Sequence, residues 1–207
     1  KVVPRGCGDG IYINTAGVGE MIEGVDIAPA NIKAGMDIIV SGTIGDHAAT
    51  VMAARHNLTL PPEIMSDSAP LCHMTAAMLA AAPSIAVLRD PTRGGVAASL
   101  NELAQAAKVG ILLEEGAIPV HPAVQGVCDL LGFDPLTLAN EGKLLAFVPP
   151  EDTARVLDVM HADPHGRAAC VIGHTTAEAP GEVGLRTALG GIRVVDLPLG
   201  ELVPRIC

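Results

Sequence analysis

Met36-Asp37-Ile38-Ile39-Val40-Ser41-Gly42-Thr43-Ile44-Gly45-Asp46-His47 is the stretch on which the reading of the fold turns. The short apolar run at 36–41 predicts a buried strand, and Gly42 to Gly45 a tight turn. Residues 47–56, with Val51, Ala54 and Leu58 at helical spacing, predict a helix for which Asp46 is the candidate N-cap. The same grammar recurs downstream. Ile85 to Arg89 reads as a strand and Asp90-Pro91-Thr92-Arg93-Gly94-Gly95 as a second glycine turn. Val96, Leu100, Leu103 and Ala107 then fall on one face of a following helix.

Working outward, residues 10–19 read as a strand and 27–33 as a Pro- and Asn-containing connection. A helix is expected over 70–82, stopped by Pro83, and another from Pro122 to Leu131, before Gly132. Strands are expected over 109–113, 143–148, 168–173 and 191–197. A helix capped by Asp152 carries Ala154, Leu157, Met160 and His161. Strands and helices alternate irregularly, so the expected fold is a layered α+β (α/β) domain, a mixed sheet covered by helices. From Glu178 onward glycine and proline break any helical period, which predicts a strand and an extended tail ending Pro204-Arg205-Ile206-Cys207. There is no internal repeat and no low-complexity tract. The expected organisation is a strand remnant and linker at 1–34, an α/β domain at 35–177, and a strand with a mobile tail at 178–207.

Composition narrows the function. The 207 residues carry 13 Lys+Arg against 23 Asp+Glu, a net charge of −10. That balance excludes an electrostatic nucleic-acid binder, and three aromatics (Tyr12, Phe133, Phe147) make no base-stacking platform. Hydrophobic residues at 49% exclude a disordered chain, yet no uncharged apolar run is long enough to span a membrane. The cysteines at 7, 72, 128, 170 and 207 are odd in number and never spaced C-x-x-C. Neither a disulfide framework nor a cysteine-paired zinc site is indicated. No signal peptide is visible, so a cytoplasmic location with reduced thiols is expected. The seven histidines show no metal-ligand spacing, and no metal site is expected. The chain opens without Met, as a fragment or processed chain would.

Three features bear on chemistry. Glycine turns that open helices present backbone N–H groups to an anion, and Arg93 beside Gly94-Gly95 adds a cation. Spacing alone serves an ordinary strand-to-helix turn better, since no P-loop motif is present. Asn140-Glu141-Gly142-Lys143 places a carboxylate at the start of a strand, where it is either a general base or a solvated turn residue. Cys207 is a terminal thiol beside Arg205, either a nucleophile carried on a tail or incidental.

Taken in order, Lys1-Val2-Val3-Pro4-Arg5-Gly6, Ile13-Asn14-Thr15-Ala16-Gly17, Ser41 to His47, Asp90 to Val96, Ala139 to Leu144 and Pro204 to Cys207 resemble the HypE family. These are nickel–iron hydrogenase maturation proteins, also called carbamoyl dehydratases. The Thr-Arg-Gly-Gly turn is shared with the wider superfamily of aminoimidazole ribonucleotide synthetases, thiamine-monophosphate kinases and selenophosphate synthetases. The resemblance covers the whole chain, and the terminal P-R-I-C is its most specific piece. It implies the C-terminal domain of the aminoimidazole ribonucleotide synthetase-like fold and ATP-dependent chemistry on a terminal thiol. HypF would carbamoylate Cys207, ATP would phosphorylate the carboxamide oxygen, and loss of phosphate would leave a thiocyanate. The cyanide would pass to iron on a HypC–HypD complex. The resemblance assigns proton removal to Glu141, assistance near the phosphate to Lys1, and nucleotide or phosphate binding to Arg93, Gly94, Gly95, Asp46, His47 and Asn140. For Asp46 and His47 it gives no more particular role. Family members begin with a further domain that carries the Mg-ATP ligands. The expectation is therefore that this chain alone binds ATP poorly, is inactive by itself, and dimerises only within a longer protein. Two other readings stand beside this one: a small-molecule kinase or synthetase of the same superfamily, and a non-catalytic docking module that presents Cys207.

Overall fold

The apolar run at 36–41 forms β1 (Asp37–Val40), three of whose four residues are buried. The computed structural model describes residues 5, 6, 14 and 16–198. Among them, β1 is followed by α1 (Asp46–Arg55), α2 (Cys72–Ala81), β2 (Val87–Arg89), α3 (Gly95–Ala107), β3 (Gly110–Glu114) and α4 (Pro122–Leu131). Then come β4 (Leu145–Val148), α5 (Pro150–Ala162), β5 (Cys170–Thr176), β6 (Val183–Arg186) and β7 (Ile192–Val194). The strands make one seven-stranded sheet in the order β2-β4-β1-β5-β3-β6-β7. Only β3 and β6 pair in parallel, so the sheet is mixed, as expected.

Side chains alternate across a strand, and both faces of the central strands are covered. Ile38, Val40, Leu145 and Phe147 join Val96, Leu100 and Leu103 of α3 in one core. Ile39, Ala146 and Val148 join Met74 and Met78 of α2 and Val156 and Met160 of α5 in another. The result is three layers, with β1 and β4 sandwiched between helices. This explains why both strands are continuous apolar runs rather than alternating ones. A third cluster packs α1 against α4 through Ala48, Ala49, Val124, Val127 and Cys128. Phe147 is the one fully buried aromatic among the described residues. Aliphatic side chains, alanine and methionine fill the rest.

Several local expectations are corrected. Asp46 is the first residue of α1, not its cap; the capping position is Gly45, whose φ of 83° only glycine adopts freely. The buried face of α1 runs through His47, Ala48, Ala49, Met52 and Ala53, whereas Ala54 is exposed. Small residues face inward there because α4 approaches closely. Asp152 lies in the first turn of α5, after the Pro149 cap. Residues 16–19 are not in a strand, and residues 10–13 and 15 lie outside the described residues. Strand β6 was not anticipated: Gly181 and Gly184 disguise it. Its parallel register with β3, Ile111 opposite Val183, brings residues 183–194 into the same sheet as the rest.

Candidate functional site

The two glycine turns meet, and one side chain joins them. Asn140 is fully buried. Its Oδ1 accepts from the Gly45 N–H at 2.8 Å, at the start of α1. Its Nδ2 donates to the carbonyls of Pro91 and Leu138, both at 3.0 Å, and its own N–H donates to Pro91 at 3.1 Å. The turn before α1, the turn before α3 and the segment leading into β4 are therefore tied at one point. Gly95 belongs to the same junction. Its φ is 63°, and a Cβ there would sit 2.5 Å from the carbonyl oxygens of Leu136 and Leu138. A Cβ on Gly94 would sit 2.6 Å from that of Ala98. These glycines thus admit close backbone approach. Arg93 is exposed on the rim of its turn.

Next to this junction lies a charged cluster. The Lys143 ammonium stands 3.3 Å from Asp67 Oδ2 and 3.7 Å from Asp46 Oδ2. The three side chains are only 12%, 2% and 14% exposed, in that order. Charges removed from water in this way hold only when paired, and here one cation serves two carboxylates. Thr43 donates its hydroxyl to Asp46 Oδ2 at 2.5 Å. His47 is buried, with Nδ1 and Ser66 Oγ hydrogen-bonded at 2.8 Å. Among the described residues, Asp46 Oδ1, His47 Nε2 and Asp67 Oδ2 are buried without a hydrogen-bond partner, Asp67 Oδ2 having the Lys143 ion pair instead. Buried polar atoms are seldom left so, and these three mark the spot as polar and demanding.

Glu141 sits on the turn between the junction and the cluster. Its backbone N–H donates to Asp67 Oδ1 at 2.9 Å. Its carboxylate is half-buried and has no hydrogen-bond or ion-pair partner among the described residues. An unengaged carboxylate on a backbone held from both sides has the makings of a positioned base. A cavity of about 320 Å³ opens beside it, lined by Gly42, Thr43, Asp67, Gly142, Lys143 and Arg167 among others. None of the candidate site residues taken from the sequence lines this cavity, nor a larger one of about 560 Å³ around Phe133, Leu136 and the Asp134–Arg193 ion pair. The smaller cavity is the candidate site because Asp67, Gly142 and Lys143 in its wall adjoin Glu141 and Asp46.

The structure thus brings Asp46, His47, Asn140 and Glu141 together, with Arg93, Gly94 and Gly95 on the adjoining turn. Lys1 and Cys207 lie outside the described residues. Sequence reasoning missed Asp67 and Ser66. Their segment has no periodicity, and its only signal is the polar run Ser66-Asp67-Ser68 ahead of α2. Among the described residues no group of three or more His, Cys, Asp or Glu could hold a metal ion. No helix among them is long and apolar enough to cross a membrane. Of the described cysteines, Cys128 is buried, Cys170 is partly buried and Cys72 is exposed. Burial pushes the thiols of Cys128 and Cys170 upward, away from thiolate chemistry.

The family model for the AIR synthase related protein, C-terminal domain, matches residues 33–186. The carbamoyl dehydratase HypE of Rhodobacter capsulatus is 50% identical over 207 residues, 100% of this chain and 61% of that protein. A crystal structure of hydrogenase maturation protein HypE in complex with ATP is 38% identical with a TM-score of 0.82. The match covers 87% of this chain and 55% of that one. A HypE–HypF complex structure is 39% identical with a TM-score of 0.80, over 85% of this chain and 57% of that one. The chain spans about three-fifths of the length of the curated relatives it matches.

Proposed function

The chain belongs to the family of the AIR synthase related protein, C-terminal domain, and on that premise we propose that it works in nickel–iron hydrogenase maturation, as the C-terminal part of a HypE-type carbamoyl dehydratase. The observation that carries this reading is the 50% identity to such an enzyme along the whole of the chain. The ATP complex of a HypE neighbour supports ATP as cosubstrate, and the HypE–HypF complex supports HypF as the carbamoyl donor.

In this reading Cys207 is the nucleophile. Its thiolate takes a carbamoyl group from HypF, giving an S-linked carboxamide. ATP, as its magnesium complex, then phosphorylates the carboxamide oxygen. Glu141 removes protons from the nitrogen, the C–O bond breaks with phosphate as leaving group, and S–C≡N remains. Lys1 takes the family role of assisting near the phosphate, and the glycine turn at Arg93 to Gly95, with Asp46, His47 and Asn140, serves the nucleotide side. No magnesium ligand is assigned among the described residues, which hold no ligand cluster. The cyanide passes to iron on a HypC–HypD complex in the cytoplasm, a reductant on that complex supplying the two electrons that return Cys207 as a thiolate, and the longer protein works as a homodimer.

The test joins this chain to the part of the Rhodobacter capsulatus relative that it does not cover. The fusion is incubated with HypF, carbamoyl phosphate and ATP, and the C-terminal peptide is weighed. A carbamoyl adduct that subsequently loses water is expected. Cys207→Ala should show no adduct. Glu141→Gln should keep the adduct and stop the loss of water. A parent peptide that never gains mass would sink the reading.

A further inference from the structure

The turn that carries Glu141 is gripped by a residue 74 positions away. We propose that Asp67 is a positioning residue for the Glu141 base, acting through a two-point clamp on the turn 141–143. The inference rests on the reading of Glu141 given above. Asp67 Oδ1 holds the Glu141 N–H at 2.9 Å, and Asp67 Oδ2 stands 3.3 Å from the Lys143 ammonium. Both ends of one carboxylate therefore engage residues two apart on the same turn. Between them, Gly142 leaves no gap: a Cβ there would lie 1.7 Å from the Asp67 carbonyl oxygen, so the two backbones are flush.

The clamp is itself anchored. Neighbouring Ser66 is hydrogen-bonded to buried His47 of α1 at 2.8 Å and accepts from the Ser68 N–H at 3.3 Å. Lys143 reaches on to Asp46 at the start of the same helix, 3.7 Å away. On the other side of Glu141, Asn140 is fastened to the two glycine turns. The root of Glu141 is fixed from both directions while its carboxylate keeps its lone pairs. Asp67 is not the base itself. Its side chain is 2% exposed, and both of its oxygens are engaged by the turn 141–143. A buried carboxylate is costly unless paired, and this one is paired entirely to the turn that needs holding. Positioning matters because a displacement of about 1 Å at a reacting group costs on the order of 100-fold in rate.

The experiment uses the fused enzyme described above and follows dehydration of the carbamoylated cysteine in a single turnover. Asp67→Ala is expected to slow dehydration about 10- to 100-fold, with carbamoylation by HypF and the KM for ATP unchanged. Asp67→Asn keeps an oxygen for the Glu141 N–H but not the charge for Lys143, and should lose less than Asp67→Ala does. Amide hydrogen exchange gives a readout apart from activity. Exchange at Glu141 should speed up in Asp67→Ala while the amides of Ala146 and Phe147 in β4 keep their parental rates. Parental dehydration in a folded Asp67→Ala protein overturns the proposal, as does a uniform rise in exchange across the sheet. Should Asp67→Ala fail to fold, Asp67→Asn decides: a protected Glu141 amide supports the clamp and an unprotected one refutes it. If Glu141→Gln dehydrates at the parental rate, the base assignment falls and takes the clamp with it. If Glu141→Gln is inactive and Asp67→Ala fully active, only the clamp falls.

Discussion

Replacing Asn140 by alanine removes three side-chain hydrogen bonds at once: one to the Gly45 N–H and two to the carbonyls of Pro91 and Leu138. Each is buried and each is worth about 1 kcal/mol net, so their sum is about 3 kcal/mol. The Gly45 donor loses its partner in the core and adds roughly 1 kcal/mol more. The expected loss is therefore about 3 to 4 kcal/mol, a large share of the 5–15 kcal/mol typical of a folded protein. With a urea dependence of about 2 kcal/mol per molar, the unfolding midpoint should fall by roughly 1.5 to 2 M. Urea titration followed by circular dichroism at equilibrium measures this directly. Asn140→Asp should be no better, because it sets a carboxylate against two carbonyl oxygens where the amide had been donating. A midpoint within about 0.5 M of the parent would refute the idea that one side chain ties the two glycine turns together.

Other outcomes follow from the same geometry. Gly95→Ala should cost about 3 kcal/mol, because its Cβ meets two backbone oxygens at 2.5 Å in a backbone of positive φ. Gly116→Ala meets nothing within 4 Å and should stay within about 0.5 kcal/mol of the parent in the same titration. The Cys128 thiol is pushed up to about 11, first by burial and then by Asp129 and Asp134. At neutral pH a thiol reagent should therefore label exposed Cys72 and spare Cys128 in the native state. The pH sign is also set. Between 9.0 and about 11 the folded protein keeps a proton that the unfolded chain releases, so stability falls as pH rises through that window. Urea midpoints measured across it should flatten in Cys128→Ser.

Much of the fold was legible because it depends on local pattern. The largely apolar run at 36–41 reads as a buried strand and 143–148 as a strand, and the helix from Pro122 to Leu131 carries its own start and stop signals. Asp46 and Asp152 fall inside the first turns of their helices, which begin after Gly45 and Pro149, and neither of those capping positions offers a side-chain hydrogen bond. Strand β6 escaped notice because its stability comes from pairing with β3, some 70 residues away, and not from its own composition. A strand held by its neighbour needs no strong propensity of its own.

The site divides in the same way. Sequence by itself determined the residue types at hand: the glycine turns, the carboxylate of Glu141, the terminal thiol of Cys207 and the family these motifs resemble. It could not say that Asn140 looks inward and ties two turns together, or that Asp67 reaches Glu141 and Lys143 from across the chain. Those facts are contacts between segments far apart in sequence. Hydrophobic layering around β1 and β4 brings the segments together, and only then can buried polar atoms find their partners. Motifs state which chemistry is available, while the tertiary structure decides which groups are held, which are paired away and which remain free to react.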